Sequence, residues 1–245
     1  MAGAAKKALR KGARAGAGPR KTAGISRTRG GHAQTLTDSA YTALEEMIVR
    51  LELAPGTAVS EAMLSQRLGI GRTPIREALQ RLARERLVKI LPRRGVIVSE
   101  INIKAQLRLL EVRREIERLV ARAAARRAGA EEREQFKELA RRFELAARTG
   151  DDVAFMRIDR EFHELCVTAA RNEFALSTMS LMQPLSRRYW YQHYREAGDM
   201  PASAKLHAAL ARAIAAGDEQ AAGQGTDALI DNIEQFTRAT VSAGS

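Results

Sequence analysis

The chain has 245 residues, enough for two small domains that each bury a core, and it carries 41 Lys and Arg against 29 Asp and Glu, a net charge of +12. No run of residues is long and apolar enough to span a membrane, and the basic start lacks the apolar stretch of a secretory signal. The single cysteine, Cys166, excludes an internal disulfide, which fits a reducing cytoplasm. We expect a cytoplasmic protein without a membrane partner, with Cys166 in a helical core rather than in a redox role.

Much of the positive charge lies at the start of the chain. Residues 1–37 carry nine Lys and Arg and no acid. This segment is rich in Ala and Gly and has almost nothing large and apolar, so it is predicted to be a disordered basic tail. Two interpretations stay open: a solvated extension, or an arm that contacts DNA phosphates without reading their sequence.

The sequence pattern of residues 38–100 predicts a helix-turn-helix followed by a β-hairpin wing. The first helix has apolar residues at Tyr41, Leu44, Ile48 and Leu51. A short helix from Ser60 to Leu68 follows, with Met63, Leu64 and Leu68 predicted to face inward. Gly69 ends it, and the next helix begins near Arg72.

This third helix opens with the decamer Ile-Gly-Arg-Thr-Pro-Ile-Arg-Glu-Ala-Leu, residues 70–79. Gly71 stands at the N-cap, and Pro74 lies in the first turn, where its missing N–H costs nothing. Guanidinium groups, a hydroxyl and free backbone N–H groups at one helix end suit guanine edges and phosphates. The alternative is a solvated helix surface, but residues 67–98 hold nine Lys and Arg against two acids, which favours DNA. The candidate DNA contacts, including the tip of the wing, are Arg67, Arg72, Thr73, Arg76, Arg93, Arg94 and Gly95.

From residue 101 to 241 the pattern is helical. The predicted helices cover residues 103–128, 131–148, 151–171, 173–196, 199–216 and 218–241. The predicted fold is therefore mainly α: an N-terminal winged helix-turn-helix and a C-terminal all-α antiparallel bundle of about six helices.

Polar residues on inward stripes of the bundle are candidate ligands. Asp159 and His163 are four residues apart and share one face, and His207 lies on another apolar stripe. One carboxylate oxygen and two imidazole nitrogens suit a divalent metal, while an internal hydrogen-bonded pair of Asp159 and His163 is the alternative. Arg113 suits either an acidic ligand or an ion pair with Glu117. The aromatic group around Trp190 indicates core packing, a pocket lining or a subunit contact.

Two parts of the sequence resemble known domains. Residues 38–99 resemble the winged helix-turn-helix of the GntR family of bacterial transcription regulators, through Leu53-x-Pro-Gly56, Leu64-x-x-x-Leu-Gly69, Arg72-Thr-Pro-Ile-Arg-Glu-Ala-Leu79 and Pro92-Arg-Arg-Gly95. Residues 103–241 resemble the FCD-type effector domain of the FadR subfamily, through Glu111-Val-Arg-x-x-Ile-Glu117, Asp159-x-x-Phe-His163 and Leu206-His207.

The resemblance implies a metal that helps to bind a small carboxylic acid. Asp159, His163 and His207 match three of the four family ligands, whereas the fourth position falls at Leu229, which cannot ligate. Zinc, nickel and manganese all remain candidates, and Arg113 matches the arginine that would pair with the acid.

We therefore expect a repressor that is not an enzyme, that binds a pseudo-palindromic operator as a homodimer, and whose DNA affinity a small organic acid controls. A metal-dependent enzyme is the competing class, but no second carboxylate lies on the same stripes to act as a base. A non-specific architectural DNA-binding protein is a further alternative, although it leaves the inward Asp and His residues without a role.

Overall fold

The computed structural model describes residues 35–93, 95–197 and 200–243. Within these ranges, no helix is long and apolar enough to cross a bilayer. The predicted basic tail falls almost wholly on residues 1–34 and, like Arg94 at the tip of the predicted wing, lies outside the described residues.

The N-terminal domain contains three helices and a small antiparallel sheet in its described part. Its elements are α1 (Leu36–Val49), β1 (Ala58–Val59), α2 (Glu61–Leu68), α3 (Arg72–Arg84), β2 (Val88–Leu91) and β3 (Gly95–Val98). Strand β3 lies in the middle of the sheet, with the predicted hairpin partner β2 on one side and the unpredicted strand β1 on the other. The helix-turn-helix and its wing are as predicted.

The caps explain where the helices begin. Helix α1 starts at Leu36, inside the segment assigned to the tail, because Thr35 and Asp38 form a capping box. The Ser60 hydroxyl accepts from the N–H of Met63 at the start of α2. Gly69 ends that helix in the left-handed conformation, with φ at 65°.

One predicted core position and one predicted helix position in this domain are wrong. The side chain of Met63 is 37% exposed, because the next residue, Leu64, is the one that points into the core. Leu51 lies beyond the end of α1 and is only half-buried, since the chain turns there with φ at 60°.

The C-terminal domain is a bundle of six helices in the described part of the chain, as predicted. They are α4 (Ile103–Arg127), α5 (Ala130–Thr149), α6 (Asp152–Ala169), α7 (Glu173–Ala197), α8 (Met200–Ala216) and α9 (Glu219–Ala243). Helix α5 packs against α8, and α4 packs against α9. Phe136, Phe143 and Phe162 meet edge-on in the core beside α8.

The two domains share a buried boundary between α1 and α7. Val49, the last residue of α1, belongs to the core of the bundle. In the opposite direction, Leu185 of α7 packs against the core of the N-terminal domain. Helix α7 therefore connects the interior of the bundle with the domain that carries the helix-turn-helix.

Candidate functional site

The amino end of α3 presents the predicted DNA-reading side chains to solvent. Arg72 and Thr73 are exposed, and no side chain caps this helix start. Arg76 is also exposed, but both of its nitrogens Nε and Nη2 donate to the Glu61 carboxylate at 2.8 Å. This hydrogen bond raises the pKa of Arg76 and lowers that of Glu61. Arg76 is therefore already held by an acid of α2, a partner that the sequence pattern did not reveal.

The remaining described candidates lie on α2 and in the wing. Arg67 pairs with Glu52 at 3.1 Å. Arg93, in the turn of the wing, has a left-handed backbone with φ at 62°. Gly95 has φ at 90°, and a Cβ there would lie 3.3 Å from the carbonyl oxygen of Val59, so glycine is required where β1 and β3 approach.

Inside the bundle, Asp159 and His163 of α6 and His207 of α8 come together. Asp159 Oδ1 lies 3.3 Å from His163 Nε2 and 3.1 Å from His207 Nε2. The three ligand atoms all lie within 4.8 Å of one another. Such a compact set of one oxygen and two ring nitrogens fits a divalent transition metal.

The orientation of the His207 ring sharpens this fit. Its Nδ1 lies 2.8 Å from the carbonyl oxygen of Ser203, and a carbonyl can only accept, so Nδ1 carries a proton. The lone pair on Nε2 of the neutral ring then faces Asp159 Oδ1, which is also an acceptor. A cation between the two atoms, or a second proton on the ring, is required to make this arrangement favourable.

The charge of Asp159 is stabilised although the carboxylate is buried. Burial alone would raise its pKa, but the neighbouring His163 and His207 hold the pKa well below its usual range. The carboxylate is thus the ionised group that a metal ligand must be.

A small cavity of about 30 Å³ adjoins the cluster. Its lining includes the aromatic rings of Phe155 and Trp190, and also Arg113 and Arg187. Arg187 Nε lies 3.6 Å from Asp159 Oδ2 and, within the part of the chain that the structure describes, has no hydrogen-bond acceptor. The room suffices for about one water molecule, so a larger ligand must displace side chains.

Arg113 forms the ion pair that was one of its two expected roles, and its pairing with an acidic ligand stays a prediction. Its Nη2 lies 2.6 Å from the Glu117 carboxylate, so the ion pair exists, and its Nη1 donates to the Ser186 hydroxyl. The same side chain also lines the cavity. An acidic ligand that bound here would contact an arginine that already forms an ion pair with Glu117.

Other polar or aromatic candidates divide between core and cavity. Trp190 stacks on Tyr194 at 4.5 Å between ring centroids and lines the cavity. Leu229 is fully buried in the core, and Ile233, one turn later on α9, is the residue that lines the cavity. Burial raises the pKa of Cys166 well above its ordinary value, which leaves an inert thiol, as a core role requires.

Sequence reasoning missed a buried ion-pair cluster between the domains. Arg187 Nη1 lies 3.2 Å from Glu45 Oε1 of α1, and Arg160 Nη1 lies 3.1 Å from Glu45 Oε2. Burial raises the pKa of Glu45, while Arg160 and Arg187 oppose that rise. The available signal was an acid on the inward face of α1, between Leu44 and Ile48.

Comparisons with known proteins agree with this architecture. A family model described as "Bacterial regulatory proteins, gntR family" matches residues 36–98, and a model of the FCD domain matches residues 108–232. Among curated proteins, the chain is 29% identical over 161 residues to the HTH-type transcriptional repressor RspR of Escherichia coli K12, covering 66% of this chain and 71% of that protein.

Two further similarities extend the comparison. The chain is 30% identical over 136 residues to the Nta operon transcriptional regulator of Aminobacter aminovorans, covering 54% of this chain and 63% of that protein. The solved structure of E. coli McbR/YncC superposes with a TM-score of 0.72 at 18% identity, covering 84% of this chain and 99% of that one. At this identity the superposition shows a shared fold.

Proposed function

The chain belongs to the gntR family of bacterial regulatory proteins and is a DNA-binding transcription regulator with an FCD domain for a small-molecule effector, and on that premise we propose a repressor whose effector site holds a divalent metal. Asp159, His163 and His207 are the proposed ligands. Zinc, nickel and manganese all accept such a donor set. When bound, the metal would act as a Lewis acid and attract a carboxylate of the effector.

The main support for a metal is the orientation of the His207 ring. With its Nδ1 proton committed to Ser203, its Nε2 lone pair points at the Asp159 carboxylate across 3.1 Å. The nearby Arg187 Nε has no acceptor among the described residues, which supports an anionic ligand rather than a cationic one.

For the DNA side, we propose that Arg72 and Thr73 read the operator from the start of α3. We propose Arg67 of α2, Arg76 of α3, and Arg93 and Gly95 of the wing as further contacts, together with Arg94, which lies outside the described residues. One such helix reads only a few base pairs, so a homodimer on a pseudo-palindromic operator supplies the selectivity. The exposed apolar side chains of Val112 and Leu119, seven residues apart on α4, support a face for the second copy.

We further propose that the Arg187–Glu45 pair carries the signal between domains. Arg187 touches the Asp159 carboxylate on one side and Glu45 of α1 on the other. A ligand that binds Asp159 or Arg187 changes the balance of charge on this pair, and therefore the preferred placement of α1. Helix α1 packs on α3, so the effect reaches the DNA-reading helix.

Metal titration of the purified protein, followed by elemental analysis, tests the metal site. Wild type should bind one ion per chain, and His207→Ala should bind none. His193→Ala, a substitution on α7, is the matched control and should bind normally. If wild type takes up no zinc, nickel or manganese even with a dicarboxylate present, a protonated imidazole resolves the His207 geometry and the metal proposal fails.

The fourth ligand position can be located in the same assay. If the fourth ligand position is at Leu229, as the family alignment implies, Leu229→His should tighten metal binding. If it is instead at Ile233, which lines the cavity, Ile233→His should tighten it. Tightening by neither substitution would count against a metal at this place.

DNA binding is tested on a fragment from upstream of the protein's own gene. Arg72→Ala should cost roughly 1–3 kcal/mol on the specific site if Arg72 reads a base. Arg141→Ala, on the exposed face of α5, is the control and should change nothing. Equal binding by both variants would show that α3 is not the reading helix.

A hydrolase screen with added zinc addresses the enzyme alternative. A turnover that disappears in His207→Ala would contradict the proposal that the bundle only senses a ligand.

A further inference from the structure

A second cleft lies on the other side of α7 and shares no lining residue with the metal cavity. Its volume is about 360 Å³. It is bounded by α4, by α7 and by residues 100–102, which join the wing to the bundle. The cleft therefore touches the junction between the two domains.

Arg188 is the unusual residue of this cleft. Its side chain is 2% exposed, yet its Nη2 donates only to the carbonyl oxygen of Glu100, at 3.1 Å. Its Nε and Nη1 have no hydrogen-bond acceptor within the described ranges. Buried polar groups in proteins are nearly always satisfied, so two free donors on a buried cation demand an explanation.

The charge of Arg188 persists at neutral pH. Burial lowers the pKa of its guanidinium to about 10, and the charge of Glu100 opposes that effect only in part. The Glu100 carboxylate lies against Gly56, where a Cβ would be 2.9 Å from its Oε1. No acid of the described residues forms an ion pair with Arg188 at 4.0 Å or less.

The rest of the lining completes an amphipathic site. Arg86 and Arg108 add positive charge at the cleft, so its three arginines outnumber Glu100. Leu109 and Leu185 provide apolar walls. Positive charge at one end and apolar surface beside it match an organic anion with an apolar body.

We propose that this cleft is a second ligand site, which takes an amphipathic organic anion. The oxyanion, a carboxylate or a phosphate, accepts from Nε and Nη1 of Arg188, and the apolar body lies against Leu109 and Leu185. The site is independent of the metal cavity, so its test does not depend on the proposed effector site.

Binding here would act on the domain junction directly. The cleft is lined by residues 100–102, which connect β3 to α4, and by Arg86 from the turn between α3 and β2. A ligand that joins Arg188 to these segments favours one placement of the wing relative to the bundle. The protein then has two inputs, one through the metal cavity and one through this junction.

Calorimetric titration of the full chain with hexanoate, hexyl phosphate and inorganic phosphate tests the proposal. The first two probes differ in headgroup, and inorganic phosphate lacks the apolar body. We expect one saturable site per chain for at least one hexyl probe, with inorganic phosphate much weaker. The binding should survive EDTA and His207→Ala, which separates it from the metal cavity.

Arg188→Met should weaken hexyl-probe binding by about tenfold or more, because charge-assisted hydrogen bonds are lost while an unbranched apolar stem is kept. Ala105→Glu provides a second variant that does not disturb the core, since Ala105 is exposed on α4 and lines the cleft. Its carboxylate competes for Arg188 and should also weaken binding. Arg141→Met is the matched control on a distant surface.

Two results would overturn the proposal. One is the absence of saturable binding by every probe in wild type. The other is a shift of the monomer–dimer equilibrium in Arg188→Met, seen by analytical ultracentrifugation, with probe binding unchanged. That result would mean that a carboxylate of a second copy neutralises Arg188.

Discussion

Arg187 and Arg188 are neighbours on α7 and both are buried, yet they lie in opposite electrostatic surroundings. Successive side chains on a helix point about 100° apart, so the two guanidinium groups leave the helix on different sides. Arg187 meets Glu45, Glu46 and Asp159 within 4.0 Å. Among the described residues, Arg188 donates to a single backbone carbonyl. One arginine links two domains through acids, and the other presents donors that the described part of the chain leaves unused.

Burial alone therefore does not determine the role of an arginine. A buried cation among carboxylates is part of the structure, because removing it strands the acids. A buried cation without an acid lowers the stability of the folded chain unless a ligand arrives, so it is retained at a cost. The contrast predicts opposite effects for the same substitution at adjacent positions.

The largest effect is expected for Arg187→Met. It leaves Glu45 buried with Arg160 as its remaining partner and removes the positive charge beside Asp159. Breaking a buried pair from one side typically costs about 3–5 kcal/mol, so urea unfolding in EDTA should show a loss of roughly 3 kcal/mol. A loss below about 1 kcal/mol would mean that Arg187 is not what stabilises the boundary between α1 and α7.

For Arg188→Met without ligand, we expect the free energy of unfolding to change in the opposite direction. Methionine fills a similar volume and has no donors to satisfy, so the free energy of unfolding should stay the same or rise by roughly 1–2 kcal/mol. The same urea titration, run beside Arg187→Met, measures it. A clear loss of stability would show that Arg188 already has an anionic partner, and the two arginines would then be alike.

A smaller, pH-dependent effect is expected from Glu45. Burial, opposed by Arg160 and Arg187, raises its pKa above the ordinary 4.5. A carboxyl group with a raised pKa contributes stability below its unfolded pKa and loses that contribution as the pH rises through its folded pKa. As the pH rises from 4.5 to neutrality, the stability of Glu45→Gln should therefore increase relative to that of wild type.

The control for this experiment is Glu161→Gln. Its hydrogen bond to Arg142 lowers the pKa of Glu161, so this acid contributes stability above its ordinary pKa and loses it in acid. The two variants should diverge from wild type in opposite directions with pH. Parallel curves would contradict the assigned raised pKa of Glu45.

Local features of the sequence made the fold predictable. Ser60 caps α2, and Gly69 and Gly150 end helices in left-handed backbone, so helix boundaries follow from single residues. Strand β1 could not be predicted, because Ala58 and Val59 form a strand only through their pairing with β3. Met63 was misplaced because a short helix leaves the direction of its apolar face ambiguous.

The candidate site was predictable only where its residues share one element or one family motif. Asp159 and His163 are one helical turn apart, and His207 lay on an inward stripe. Arg187 and Glu45 are 142 residues apart, so no local pattern connects them. The unused donors of Arg188 are a property of the assembled core and have no counterpart in the sequence.

The smallest effect on stability is expected at the protein surface, where Arg72 and Arg76 repeat the contrast between a free and a paired arginine. Glu61→Gln removes the acid that holds Arg76 on the DNA-facing side of α3. Unfolding should hardly change, since exposed pairs contribute little. DNA affinity should rise several-fold on specific and random fragments alike, with a salt slope steeper by about one ion, because one more cation is free for phosphate. Glu52→Gln, which frees Arg67, is the matched comparison. A fall in affinity for the specific fragment alone would instead mean that Glu61 holds Arg76 in the orientation that reads a base.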